Sequence, residues 1–175
     1  MLFTSIEFAF FIGTVFLLYW LVLGKDVRLQ NLFLLVAGYF FYGWWNWKLL
    51  FLLLSVSYVN YQAGLLMAAT AAKRTRRLIL IAGLFLDLGT LVVFKYFNFF
   101  IREFMAMLSL FGIREHPSAL KIILPVGISF YVFLSVSYLV DVYRRKLDAE
   151  RNLVEAMLSL SFFPIIMSGP VERPV

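Results

Sequence analysis

The fold is decided by the stretch LPVGISFYVFLSVSYLVDVYRRK, residues 124–146. It begins with a helix breaker, Pro125, and a flexible residue, Gly127. About four apolar turns follow, and the basic cluster 144–146 ends the run. An apolar run of this length, bounded by a breaker and by cations, predicts a helix that crosses a membrane.

Three hydroxyl side chains lie on one face of this predicted helix. Tyr131, Ser135 and Tyr138 are spaced i, i+4 and i+7, and Asp141 lies about a quarter turn away. In hydrocarbon, such a face favours contact with protein or a wet cavity over contact with lipid. The pattern leaves two interpretations open: a cavity wall, or an ordinary spanning helix whose polar atoms hydrogen-bond to its neighbours.

Composition places the whole chain in a bilayer. Its 175 residues are 63% hydrophobic, 19% aromatic and 15% charged, with a mean hydropathy of +0.89. A soluble domain is about half apolar and about a quarter charged. The apolar runs are continuous and lack two-residue alternation, which indicates helices and not a barrel. We therefore predict an all-α polytopic transmembrane bundle of about five to six spans, in a single domain over residues 1–175.

The predicted spans are the apolar runs 3–23, 32–47, 49–72, 78–94 and 122–140, and the run 153–167 crosses or dips. The first run lacks a preceding cation and a small-residue cleavage site, so we expect a retained helix and no signal peptide.

The loops after spans one, three and five hold ten of the sixteen basic residues: Lys25, Arg28, Lys73, Arg74, Arg76, Arg77, Arg144, Arg145, Lys146 and Arg151. The positive-inside rule places these loops in the cytoplasm and the N-terminus in the periplasm. Topology and anionic lipid explain the net charge of +6, and we expect no nucleic-acid partner.

Two segments depart from simple spans. KYFNFFIREFMAMLSLFGI, residues 95–113, has apolar side chains at helical spacing interrupted by polar ones. This pattern predicts an amphipathic helix lying in the membrane interface. Pro164 would break the last apolar run, and Gly169 with Pro170 would end it, which favours a re-entrant segment that lines protein or water.

Few residues suggest chemistry. Asp87 is an intramembrane carboxylate, either functional or a protonated or hydrogen-bonded structural residue. His116 is the single histidine and stands in a polar loop, so a solvated position is the default over a catalytic one. Cysteine is absent, and the spacing predicts no metal site, no phosphate-binding glycine loop and no catalytic triad. Composition and periodicity alone therefore identify a polytopic helical membrane protein and do not indicate its function.

Four ordered segments resemble the membrane-bound O-acyltransferases, in particular the branch of alginate O-acetylases and the teichoic-acid D-alanyl transfer protein. The central stretch 124–146 looks like the family signature. The others are GYFFYGWWNWKLLFLLLSVSYVNY at 38–61, FKYFNFF at 94–100 and SFFPIIMSGPVERP at 161–174. The chain departs from the family at Val132 and Leu134, where members often carry Thr and Gln, and at Asp87, where Asn is common.

The resemblance implies acetyl transfer from a donor on the cytoplasmic side to hydroxyls of an extracytoplasmic polysaccharide such as alginate. It implies the bacterial inner membrane, further acetylation-machinery proteins and no bound cofactor; the acyl donor stays open.

The resemblance also implies where the catalytic base belongs. The family's base is an intramembrane histidine that follows the signature, and no residue here matches it, because His116 precedes the signature. We therefore expect an N-terminal part of a longer chain, with the catalytic histidine C-terminal to Val175 and no catalytic residue within the chain itself. The alternative is a non-enzymatic membrane subunit for polysaccharide transport or assembly, and a histidine encoded downstream would distinguish the two.

Overall fold

A computed structural model describes residues 6–22, 26–110, 127–162 and 164 of the chain. The described ranges contain helices and no strand, which confirms the predicted all-α architecture. The helices are α1 (Ile6–Leu17, continued by the π-helical turn Leu18–Val22), α2 (Val27–Ala69), α3 (Lys73–Leu110), α4 (Ile128–Tyr143) and α5 (Leu153–Ser161).

Several residues named in the sequence predictions lie outside these described ranges: His116, Pro125, Gly169, Pro170 and Val175. The predicted roles of Gly169 and Pro170 in a re-entrant segment therefore stay predictions. The same holds for the catalytic histidine expected C-terminal to Val175, because neither Val175 nor any residue after it is described.

Helix α2 contains one break, at Asn46. This residue has φ −160° and ψ 105°, an extended conformation inside an otherwise helical segment. Its side-chain Oδ1 accepts a hydrogen bond from the backbone N of Lys48 at 3.0 Å, so Asn46 caps the part of α2 that follows. The break thus lies within the run predicted as span two, one residue before its predicted end, and the run predicted as span three belongs to the helical part of α2 that follows.

Within the described ranges, two helical segments are long and apolar enough to cross a membrane, Asn46–Ala69 and Lys73–Phe97. Two shorter apolar helices accompany them, Ile6–Leu21 and Ile128–Tyr143. These four segments coincide with four of the predicted spans. The number of crossings and the orientation of the chain stay predictions.

Helix α3 joins two segments that the sequence suggested were separate. It runs for 38 residues without a break and is about 57 Å long, which exceeds the roughly 30 Å of a bilayer's hydrocarbon core. The segment predicted as an interfacial helix is helical through Leu110, but it is the continuation of α3. No glycine or proline lies between Gly89 and Leu110, so the backbone has no reason to stop. Its position in the interface stays a prediction.

The core forms where α4 packs between α2 and α3. One cluster joins the beginning of α4 to the middle of α2 and the later part of α3: Tyr42, Leu49, Leu53, Val56, Ile128, Tyr131 and Val132, with Leu91 and Phe94 against them. A second joins the end of α4 to the end of α2, the start of α3 and α5: Ala63, Met67, Tyr138, Leu139, Val142 and Leu160, with Ile79 and Leu80 against them. Helix α4 therefore runs parallel to the second part of α2 and antiparallel to α3. The basic segments after predicted spans three and five lie at one end of the bundle as a result.

Candidate functional site

The hydroxyl face of α4 is turned into the protein. Tyr131 is 0% exposed, Ser135 1% and Tyr138 3%. Phe133, on the opposite side of the same helix, is 47% exposed. The structure thus places the three predicted hydroxyls together against α2 and α3, as a polar line within an apolar interface.

Each end of this line meets different groups. Tyr131 packs in the same buried cluster as Tyr42. Tyr138 lies beside Gly64, where an added Cβ would collide with the Tyr138 hydroxyl and stand 3.0 Å from ring atoms Cε1 and Cζ. The absence of a side chain at Gly64 therefore allows α2 and α4 to approach closely at this level.

Asp87 has a partner that the sequence did not reveal. The Nδ2 of Asn60 donates to Asp87 Oδ1 at 2.8 Å and to the backbone carbonyl of Val56 at 2.9 Å. Both residues are buried, with Asn60 1% and Asp87 2% exposed. Asn60 was one of several polar residues in its apolar run, and only the packing of α2 against α3 distinguishes it. This contact supports the hydrogen-bonded interpretation of Asp87.

These side chains have more hydrogen-bonding capacity than the protein around them uses. We call Asn60, Asp87, Tyr131, Ser135 and Tyr138 the polar seam. In the part of the chain that the structure describes, five buried atoms of the seam have no hydrogen-bond partner: Asn60 Oδ1, Asp87 Oδ2, Tyr131 Oη, Ser135 Oγ and Tyr138 Oη. An unsatisfied buried group typically costs about 1–3 kcal/mol. Each of these atoms retains the capacity to form a hydrogen bond to water or to a further polar group.

The chemistry available in the seam is limited to hydrogen bonding and one carboxyl group. Its hydroxyls can donate to a carbonyl or a sugar oxygen, and the Asn60 and Asp87 oxygens can accept from a hydroxyl. Over the described ranges, no group of three or more His, Cys, Asp or Glu residues could hold a metal ion. The seam can bind and orient an oxygen-rich group, but it contains no imidazole to act as a base near neutral pH.

Two predicted site residues lie away from the seam. Asp141 is in the last turn of α4, half-buried, and its backbone carbonyl accepts from Lys146 N at 3.0 Å. Pro164 lines a separate apolar cavity of about 360 Å³, together with Ile12, Val15, Phe16, Leu34 and Phe162. The cavity-lining roles predicted for Asp141 and Pro164 stay predictions; within the described residues Asp141 is in the last turn of α4 and Pro164 lines a different cavity, beside α1.

Arg76 has a structural role that the sequence concealed. It was one cation in a basic loop, yet it is only 9% exposed. Its Nη2 donates to the backbone carbonyls of Val142 at 3.1 Å and Tyr143 at 2.9 Å, and its guanidinium lies 5.6 Å from the centre of the Tyr143 ring. The last carbonyls of a helix lack partners and carry partial negative charge, so this arginine caps α4. No sequence signal separates Arg76 from its exposed neighbours.

Comparison with known proteins finds relatives that share one type of reaction. The chain is 40% identical over 176 residues to the probable alginate O-acetylase AlgI of Pseudomonas putida, covering 99% of this chain and 35% of the relative. It is 41% identical over 175 residues to the protein of the same name in Azotobacter vinelandii, covering 99% and 34%. It is 29% identical over 171 residues to the peptidoglycan O-acetyltransferase of Helicobacter pylori, covering 84% and 32%.

The chain thus spans about a third of the length of these curated relatives. No family model matches the chain, and no solved structure matches it. The identity nevertheless extends over almost the whole chain and includes every segment that carried the resemblance in sequence. Over almost its whole length the chain is therefore similar to part of the curated alginate O-acetylases.

Proposed function

We propose that this chain forms part of a membrane-bound O-acyltransferase that transfers an acetyl group to hydroxyls of an extracytoplasmic polysaccharide such as alginate. Two observations support the proposal: the names of relatives about 40% identical over 99% of the chain, and a seam of buried hydroxyls with unused hydrogen-bonding capacity. The seam carries the proposal, because it is where the described residues could meet an oxygen-rich substrate.

In this proposal the chain supplies part of the site and not its base. A histidine elsewhere in the longer protein, C-terminal to Val175, removes the proton from the accepting hydroxyl, whose oxygen attacks the acyl carbonyl. The bond between the acyl carbon and the donor then breaks, and the donor leaves with the proton that the histidine returns. Tyr131, Ser135 and Tyr138 hydrogen-bond to the acyl or sugar oxygens and hold them in line. Orientation in a site that excludes water can account for a large part of the rate of a transfer reaction.

The proposed setting is the bacterial inner membrane, with several crossings and the N-terminus in the periplasm. The basic end of the bundle then faces the cytoplasm, where the acyl donor arrives, and the polysaccharide is acetylated on the other side. Further proteins of the acetylation machinery would deliver the donor or the acceptor. The chemical identity of the donor is left open by this proposal.

The test is complementation. The complete reading frame that encodes this chain would be expressed in an alginate producer lacking its own alginate O-acetylase, and acetyl groups per sugar measured by proton NMR of the secreted polymer. We expect acetylation to be restored. The rate of acetylation should fall about thirtyfold or more with Tyr131→Phe or Ser135→Ala, since one lost hydrogen bond to a reacting oxygen costs about 2 kcal/mol or more.

Phe133→Leu is the matched control, because Phe133 is on the exposed side of the same helix. It should leave acetylation unchanged, and immunoblots should show equal amounts of all variants. Secretion of polymer with no acetyl groups, despite normal protein levels, would refute the proposal. Loss of secretion on deleting the gene would instead favour a transport or assembly role.

A further inference from the structure

The basic end of the bundle contains a cavity that the proposed acetyl transfer does not use. It has a volume of about 260 Å³ and is lined by Met67, Ala68, Arg76, Arg145, Asp148 and Ala149, among others. Several water molecules would fit, at about 30 Å³ each. The apolar lining comes from α2, the end of α4 and the segment after α4, and the charged side chains come from the start of α3 and the segment after α4.

The guanidinium of Arg76 is buried at this cavity and forms no ion pair among the described residues, although the carboxylate of Asp148 also lines the cavity. Among the described residues, its contacts are the two backbone carbonyls that end α4 and the ring of Tyr143, and none is a carboxylate. Its Nε is buried and has no hydrogen-bond partner. The partial negative charge at the end of a helix, about half an elementary charge, offsets only part of the positive charge. A buried cation is stable when an anion completes the balance.

Arg145 is held at the same cavity by an unusual backbone. Its φ is 58°, the one left-handed non-glycine residue in the described part of the chain. Arg145 N donates to Val142 O at 3.1 Å and Lys146 N donates to Asp141 O at 3.0 Å, which is the pair of bonds that ends many helices with a glycine in this position. The left-handed backbone is strained for arginine but not for glycine, so we expect the Arg145 side chain to have a functional role.

The charges around the cavity select the ligand. Two arginines and one carboxylate, Asp148, line it, which leaves a net charge of +1. Guanidinium groups bind phosphate oxygens through paired hydrogen bonds, and such bonds are stronger than neutral ones. We propose that this cavity binds the phosphate group of an anionic ligand, which is either a lipid headgroup or a soluble phosphate ester. The site is independent of the proposed acetyl transfer.

The test separates the two sources of phosphate. The complete protein would be purified in neutral detergent without lipid, and its melting temperature followed with increasing inorganic phosphate. In a second arm, vesicles of phosphatidylcholine with or without phosphatidylglycerol would be compared, with native mass spectrometry to count retained phosphatidylglycerol. A response in the first arm alone identifies a soluble ligand, and a response in the second alone identifies a lipid headgroup. Either result supports the proposal.

Arg145→Gln and Arg144→Gln are the matched variants. Both remove one charge from adjacent, exposed residues, but only Arg145 lines the cavity. We expect Arg145→Gln to weaken binding about tenfold, equivalent to about 1.4 kcal/mol, and Arg144→Gln to weaken it less than about twofold, as for an exposed charge. Arg76→Gln would also remove the cap of α4, so the Arg145→Gln variant is the one that tests phosphate binding. Equal effects of the two variants, or no binding in either arm, would overturn the proposal.

Discussion

Gly64→Ala is the substitution that tests the packing of α4 most directly. The added Cβ would collide with the Tyr138 hydroxyl and lie 3.0 Å from two atoms of its ring. Tyr138 is 3% exposed and packs within the cluster of Met67, Leu139 and Val142, so its ring has no open space to enter. The helices must therefore separate, or Tyr138 must leave its rotamer.

The expected magnitude follows from a comparison with Gly89→Ala. Gly89 is inside α3, and a Cβ there meets no atom within 4 Å. Alanine should stabilise that position by about 0.5–1 kcal/mol, because glycine loses more backbone freedom in a helix. Gly64→Ala gains the same propensity term but adds overpacking of about 1–3 kcal/mol. The difference in unfolding free energy between the two variants should thus be about 1–3 kcal/mol.

Reversible unfolding in mixed micelles with increasing dodecyl sulfate would measure this difference. Tyr138→Phe removes the atom that the new Cβ meets first, so combining it with Gly64→Ala should recover part of the loss. Combining Tyr138→Phe with Gly89→Ala should recover no unfolding free energy. Equal unfolding free energies for Gly64→Ala and Gly89→Ala would refute the packing of Tyr138 against Gly64.

Three further features of the structure are tested by substitutions with the same unfolding measurement. Asn60→Ala should destabilise the protein by about 1.5–3 kcal/mol, because it leaves the Asp87 carboxyl buried without its partner. Asp87→Asn keeps an oxygen that can accept a hydrogen bond from Asn60, so it should destabilise the protein less than Asn60→Ala does. Arg76→Gln should cost about 1.5–3 kcal/mol, because two charge-assisted bonds to the end of α4 are lost. Arg145→Gly should stabilise by about 1–2 kcal/mol, because glycine adopts φ 58° without strain.

Each of these has a control on the same element. Gln62 lies two residues from Asn60 and is half-exposed, so Gln62→Ala should change stability by about 0.5 kcal/mol or less. Arg77→Gln removes an exposed charge beside Arg76 and should be similarly mild. For Arg145→Gly, the same change at exposed Arg144, whose φ is −74°, should not stabilise. An Arg145→Gly variant less stable than the parent would contradict the assignment of backbone strain.

The positions of most helices were predictable from the sequence. Continuous apolar runs bounded by GKDVRLQN at 24–31 and KRTRR at 73–77 gave four of the segments that the structure shows as helices. The separation of 78–94 from 95–113 was not correct, since amphipathic spacing describes which side of a helix is polar and says nothing about where it ends.

The candidate site was predictable in part. The spacing of Tyr131, Ser135 and Tyr138 placed them on one face, and the structure buries that face. The pairing of Asn60 with Asp87 joins residues 27 positions apart, so no local pattern could indicate it. The same is true of Arg76 and the carbonyls of Val142 and Tyr143, 66 and 67 positions away.

The sequence by itself determined that this protein is helical, that it belongs in a membrane and that its relatives are O-acetyltransferases. These follow from hydropathy, periodicity and motif order, all of which are properties of neighbouring residues along the chain. Only the tertiary structure decided which polar side chains meet. In a low-dielectric interior a polar group is stable mainly through its partners, and those partners are set by how α2, α3 and α4 pack. Asn60, Gly64 and Arg76 each owe their role to that packing.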